Sequence, residues 1–154
     1  MKSSLSAARA VADLNEGAIY ASVEIAAPPD RVFRALASEE IVNWWVNPGI
    51  FDTRDWTGDV RVGGRWRASG VARGEEYVLE GEFLEVEPPR RLVHTWQRIG
   101  SAMPPSTLEY RLDAIEGGTR ITLKHCGFVA PQVTGNNAVG WETSFAALVA
   151  LLER

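Results

Sequence analysis

Three polar side chains stand out because each sits between apolar neighbours on one face of an alternating stretch. They are His94 within Leu92–His94–Trp96, Tyr110 within Leu108–Tyr110–Leu112, and His125 within Ile121–Leu123–His125. Alternation of this kind reads as a strand with one face buried. A two-residue loop at Gly117-Gly118 pairs Leu112 with Leu123 and Tyr110 with His125. If Trp96 opposes Leu108 on the preceding strand pair, His94 opposes Tyr110. The three side chains then form one row across three strands. Such a row orients a ligand carbonyl or hydroxyl, or moves protons. Glu85 extends the row if the Pro88–Arg91 loop has four residues. A satisfied structural hydrogen-bond row is the plainer reading and carries more weight, since buried polar groups pair anyway.

Aromatic side chains surround that row. Trp66, Trp96, Tyr110, Phe128, Trp141 and Phe145 fall on the concave side or its rim, and Phe83 is counted with them as ligand-lining. Small-molecule pockets are lined in this way, although aromatics also fill ordinary cores. Of Trp44 and Trp45, one ring is expected at the mouth and the other over the core, with Trp44 assigned inward. Other chemistries find no footing. Gly63-Gly64 lacks the Lys-Ser/Thr of a phosphate loop. No G-x-S-x-G turn occurs. His94, His125 and Cys126 lack a metal-binding spacing, so neither metal nor cofactor is implied. Strand parity points Cys126 away from His125, which makes it structural.

The elements that must position these residues follow from periodicity and punctuation. In the terminal stretch 140–154, Trp141, Phe145, Leu148 and Leu152 recur at helical spacing. Gly135, Asn136 and Asn137 are expected to start that helix. Residues 18–26 read as a strand with Ile19, Ala21, Val23 and Ile25 on one face. Pro28-Pro29 opens a helix presenting Val32, Phe33 and Leu36. Ser38 caps a second short helix whose Ile41, Trp44 and Trp45 share a face. After a short strand at 53–57, residues 64–72 and 75–86 form a hairpin around Arg73-Gly74. Its register sets Trp66 against Gly81, Arg65 against Glu82 and Arg67 against Glu80. The arginines therefore belong to a charge-paired outer face. A strand at 92–98 and a loop through Met103 lead to the last hairpin, which opposes Arg111 to Lys124. The order is strand, two helices, run of strands, long helix: an α+β meander.

Length and composition fit that plan. A chain of 154 residues, 45% hydrophobic, holds one domain with a real core. The boundaries read as a lead-in at 1–17 and one domain at 18–154. A formal net charge of -4 disfavours nucleic acid. No apolar run is long enough to span a bilayer, and the N-terminus lacks the apolar core of a signal peptide. A single cysteine fits the cytoplasm.

The motifs APPDRVFRAL, EEIVNWW, VGGRWR, GEFLEVEPPRRLVHTW and GGTRITLKHCGF, with the terminal GW…L…L, occur in an order that resembles the START-like or Bet v 1-like superfamily (SRPBCC). They most resemble its Activator of Hsp90 ATPase homologue 1-like branch, from about Ile19 to the C-terminus. The resemblance implies a helix-grip fold: a curved antiparallel sheet wrapped around the C-terminal helix, with two short helices after the first strand. It implies a cavity that receives apolar ligands in such proteins. The branch takes its name from eukaryotic co-chaperones with an additional N-terminal domain that nothing here encodes, so the chaperone role does not carry over. Relatives include polyketide cyclases, aromatases, lipid carriers and hormone receptors, and fold does not choose among them. Three functions stay open. One is binding a small hydrophobic or aromatic molecule. The second is cyclase-, aromatase- or hydrolase-like catalysis on the His94–Tyr110–His125 row. The third is a chaperone-associated interaction module. Homodimerisation is likewise left open.

Overall fold

The computed structural model describes residues 5–102, 104–128 and 131–153, so Lys2, Met103 and Arg154 lie outside the described residues. Nine strands form one antiparallel sheet in the order β1-β2-β9-β8-β7-β6-β5-β4-β3. The chain opens with β1 (Arg9–Asp13) and β2 (Ala18–Ile25). It then crosses one end of the sheet through α1 (Pro29–Leu36) and a 3-10 turn at Glu39–Asn43. The strands β3 (Val46–Asn47), β4 (Phe51–Gly58), β5 (Arg65–Ala72) and β6 (Glu75–Glu87) follow as consecutive neighbours. Next come β7 (Arg91–Arg98), β8 (Ser106–Ile115) and β9 (Gly118–Cys126), and α2 (Pro131–Leu152) closes the fold against the sheet. This is the expected helix-grip α+β architecture.

Local chemistry accounts for most of these elements. Pro29 occupies the first turn of α1, and Val32, Phe33 and Leu36 are buried. The Ser38 side chain accepts the Glu40 amide, as an N-cap does. The β5–β6 hairpin takes the expected register, with Trp66 opposite Gly81, Arg65 opposite Glu82 and Arg67 opposite Glu80. A Cβ at Gly81 would overlap both the Trp66 indole and the Thr95 carbonyl, so only glycine fits beneath that ring. On the outer face Arg67 reaches Glu80 at 3.4 Å and Arg65 reaches Glu82 at 3.9 Å. Exposed pairs like these contribute about 0–1 kcal/mol each.

Four expectations are corrected. The helix α2 begins at Pro131, so Gly135, Asn136 and Asn137 lie inside it rather than at its start. The buried stripe continues upstream of Trp141 through Ala138 and Thr134, and that packing outweighs the poor helix propensities. In the last hairpin, Ile115 pairs with Gly118, so the turn is Glu116-Gly117. Gly117 takes the left-handed φ of 85°, while Gly118 is a strand residue whose Cβ would strike the Ile25 carbonyl. Tyr110 therefore opposes Leu123, Leu112 opposes Ile121, and Leu108 opposes His125. The unfavourable Arg111–Lys124 pair disappears, because Arg111 opposes Thr122 and Lys124 opposes Glu109.

The third correction concerns β7 and β8, which pair as Trp96↔Ser106, His94↔Leu108 and Leu92↔Tyr110. The fourth concerns Glu85. A three-residue turn sets Glu87 against Arg91, and a bulge between Phe83 and Glu85 then brings Phe83, not Glu85, opposite His94. Glu85 instead pairs with Arg91 on the outside at 3.1 Å. Residues 9–13, within the expected lead-in, add an edge strand, and the Ala10 amide donates to Glu142 of α2 at 3.1 Å.

Candidate functional site

The β7–β8 and β8–β9 registers each differ from expectation by two residues, which preserves the face of every side chain on those strands and changes only its level. The concave row actually formed is Phe83–His94–Leu108–His125–Ile19, across five strands. Tyr110 stands one level away, between Leu92 and Leu123. The two imidazoles thus share a row but are separated by Leu108, and the His94–Tyr110–His125 row does not form.

His125 is held from both sides. The Trp141 indole N–H donates to its Nδ1 at 3.0 Å. An indole nitrogen only donates, so Nδ1 carries a lone pair and the ring proton sits on Nε2. That proton is given to Ser106 Oγ at 2.7 Å, and the Ser106 hydroxyl turns to the Trp96 carbonyl at 3.3 Å. Burial, and secondarily the nearby His94, push the His125 imidazolium down to about 3. His94 adopts the opposite tautomer. Its Nδ1 donates to the Thr95 carbonyl at 2.9 Å, leaving the lone pair on Nε2. Burial pushes its imidazolium down to about 4, against the Thr95 carbonyl acting the other way. Both rings are therefore neutral near pH 7. The Thr95 carbonyl also accepts the Trp66 indole at 3.1 Å, where β6 and β7 part around Gly81.

The rings meet largely edge to face. Trp45 contacts Trp66 and Trp96, with centroids 5.5 and 4.7 Å apart. Trp96 contacts His125 and Trp141 at 5.5 and 6.0 Å. Phe128 lies 4.6 Å from His125. Trp141 continues to Tyr110 and Phe145 at 6.2 and 5.6 Å. Trp66, Phe83, His94, Tyr110, His125, Trp141 and Phe145 are buried, whereas Trp96 and Phe128 are half-buried and form the rim. Trp44 faces inward as expected, with its N–H on the Ala35 carbonyl at 2.9 Å, but Trp45 is buried too, so neither ring is an exposed mouth residue. Among the described residues no Asp, Glu, Lys or Arg is buried, and no three metal-ligating side chains gather.

The space between sheet and α2 is occupied by these rings. Two recesses of about 500 and 330 Å³ lie outside, around Arg54 and Asp55, and neither is lined by a histidine or a buried tryptophan. Two concave polar atoms have no protein partner: Trp45 Nε1 and Tyr110 Oη. The Trp45 N–H lies close enough to favour the Tyr110 phenolate, yet burial dominates and drives that hydroxyl's pKa strongly upward.

The model of the family described as Activator of Hsp90 ATPase homolog 1-like protein matches residues 26–153. The chain belongs to that family. Solved structures agree with the fold. A Chromobacterium violaceum protein superposes with a TM-score of 0.78 at 25% identity, over 90% of this chain and 98% of that one. CalU16 from Micromonospora echinospora gives 0.65 at 26%, over 97% and 87%. A Rhodobacter sphaeroides protein gives 0.80 at 19%, over 96% and 99%, a likeness of fold alone. No curated protein matches the chain. No helix among the described residues is long and apolar enough to cross a membrane.

Within this Activator of Hsp90 ATPase homolog 1-like domain, sequence reasoning missed two concave residues. Ser106 shares parity with Leu108 and Tyr110, so its face was legible, but its link to His125 depends on the register. The sequence sets Trp45 on one face with Trp44 but assigns only Trp44 inward, so Trp45 is absent from the expected lining. Here the 3-10 turn ends at Asn43 and both rings enter the core.

Proposed function

We propose that this domain binds a small hydrophobic or aromatic molecule between the sheet and α2, with Trp96 and Phe128 at the entrance. Trp44, Trp66, Phe83, His94, Tyr110, His125, Trp141 and Phe145 line or support the site. The observation that carries this reading is the unbroken set of ring contacts running from the half-buried Trp96 and Phe128 to the buried Trp45, Trp141 and Tyr110. It lies on a face without buried charge. A binding role is favoured over catalysis on His125, because both of its ring nitrogens are engaged and neither has a free lone pair for proton abstraction.

Native mass spectrometry of the purified protein, with uptake of an apolar fluorescent probe, tests the reading. Expected are a retained or added small molecule at one per chain and probe uptake that Trp96→Ala alters. No adduct and no uptake at micromolar protein would refute it.

A further inference from the structure

We propose that the Trp45 indole N–H and the Tyr110 hydroxyl form the polar end of this ligand site, donating together to one carbonyl oxygen of a neutral aromatic molecule. The inference rests on the ligand-binding reading above. Its starting point is an inequality among the buried tryptophans Trp44, Trp45, Trp66 and Trp141. Three of them donate to fixed acceptors: Trp44 to the Ala35 carbonyl, Trp66 to the Thr95 carbonyl and Trp141 to His125 Nδ1, at 2.9, 3.1 and 3.0 Å. The Trp45 N–H and the Tyr110 hydroxyl have no hydrogen-bond partner in the protein, although the two lie close to each other. Buried polar groups left this way are rare and each asks for an explanation.

The chemistry of the pair selects the partner. An indole nitrogen offers only a proton, so the group meeting it is an acceptor. A carbonyl oxygen has two lone pairs and takes the Trp45 N–H and the Tyr110 O–H at once. The Tyr110 proton stays in place, since burial opposes the phenolate. An anionic oxygen is disfavoured, because among the described residues no Lys or Arg is buried and both imidazoles nearby are uncharged. The surroundings favour a flat ring system: Trp45 stands between the Trp44 and Trp66 edges and beneath the half-buried Trp96. Trp96 is the half-buried ring against Trp45, so its displacement outward would open the site at that indole.

The test is a matched pair of probes, 9-fluorenone and fluorene, which differ by the carbonyl. Calorimetry should show the wild type binding the ketone about tenfold more tightly, the increment expected of two neutral hydrogen bonds. Tyr110→Phe should remove most of the ketone-over-fluorene preference, and Trp45→Phe should act in the same direction. The infrared C=O stretch of bound fluorenone should lie lower in the wild type than in Tyr110→Phe. Equal affinity for both probes, or a C=O stretch indifferent to Tyr110→Phe, would overturn the inference while leaving the ligand site standing; the pair would then be served by water. Binding of neither probe would overturn the ligand-binding reading and this inference with it.

Discussion

Replacing Gly81 with alanine adds one methyl at the most constrained point of the sheet. An ideal Cβ there overlaps the Thr95 carbonyl oxygen and the Trp66 indole nitrogen, and the first of these is backbone. The indole must therefore tilt away, which breaks its 3.1 Å bond to the Thr95 carbonyl. Leaving a buried N–H without a partner costs about 1–3 kcal/mol. Overpacking the site adds about 1–3 kcal/mol, for a total of about 2–6 kcal/mol. Gly135→Ala is the matched control, because a Cβ there meets nothing within 4 Å and the residue sits inside α2. It should stabilise by about 0.5–1 kcal/mol through helix propensity. Urea denaturation followed by far-ultraviolet circular dichroism measures both. A Gly81→Ala protein within 0.5 kcal/mol of wild type would refute the Trp66–Gly81–Thr95 packing.

Acid should destabilise the fold through the two histidines. Their folded values of about 4 and about 3 lie below the ordinary 6.5, so the unfolded chain binds more protons and stability falls as pH drops below about 6.5. At about 1.4 kcal/mol per pH unit for each ring, the two together should remove about 4 kcal/mol between pH 7 and pH 5, and a flat profile in that window would contradict buried neutral imidazoles. Nitrogen-15 NMR should find His125 protonated on Nε2 and His94 on Nδ1 throughout that range. Tyr110→Phe should be neutral or stabilising by up to about 1 kcal/mol, since it deletes a hydroxyl with no partner; a loss above 1 kcal/mol in urea denaturation would mean the hydroxyl is satisfied. Phe145→Ala should cost about 3–5 kcal/mol in the same assay, as the ring is fully buried against Trp44 and Trp141.

What was legible in the sequence divides along a physical line. Strand faces were legible because side chains alternate with a period of two, so Leu92, His94, Tyr110, Leu123 and His125 were placed on the correct side. Levels were not, because they depend on how many residues each turn takes and where a strand bulges. Gly117 and Gly118 look alike in sequence, yet one is needed for its positive φ and the other for contact with the Ile25 carbonyl. The Trp66–Gly81 level was legible because a large ring opposite glycine, flanked by two Arg–Glu pairs, gave three agreeing signals. The first turns of α2 were obscured by Gly135, Asn136 and Asn137, whose propensities are overridden by the buried stripe through Thr134 and Ala138. On the edge strand β1 the residues packed against the core are the small Ala10 and Ala12, which leave little periodic signal. The unpaired state of Trp45 and Tyr110 could not be read from sequence at all, because it is a property of three-dimensional geometry.

The most direct test of the ligand site is an isotope-filtered NOE spectrum of the nitrogen-15-labelled protein with 9-fluorenone bound, read at the tryptophan indole protons. Contacts from the ligand to Trp45 and Trp141 are expected, with none to Trp56, which lines the outer recess beside Arg54. Contacts to Trp56 alone, or none to any concave indole at saturation, would contradict binding between the sheet and α2.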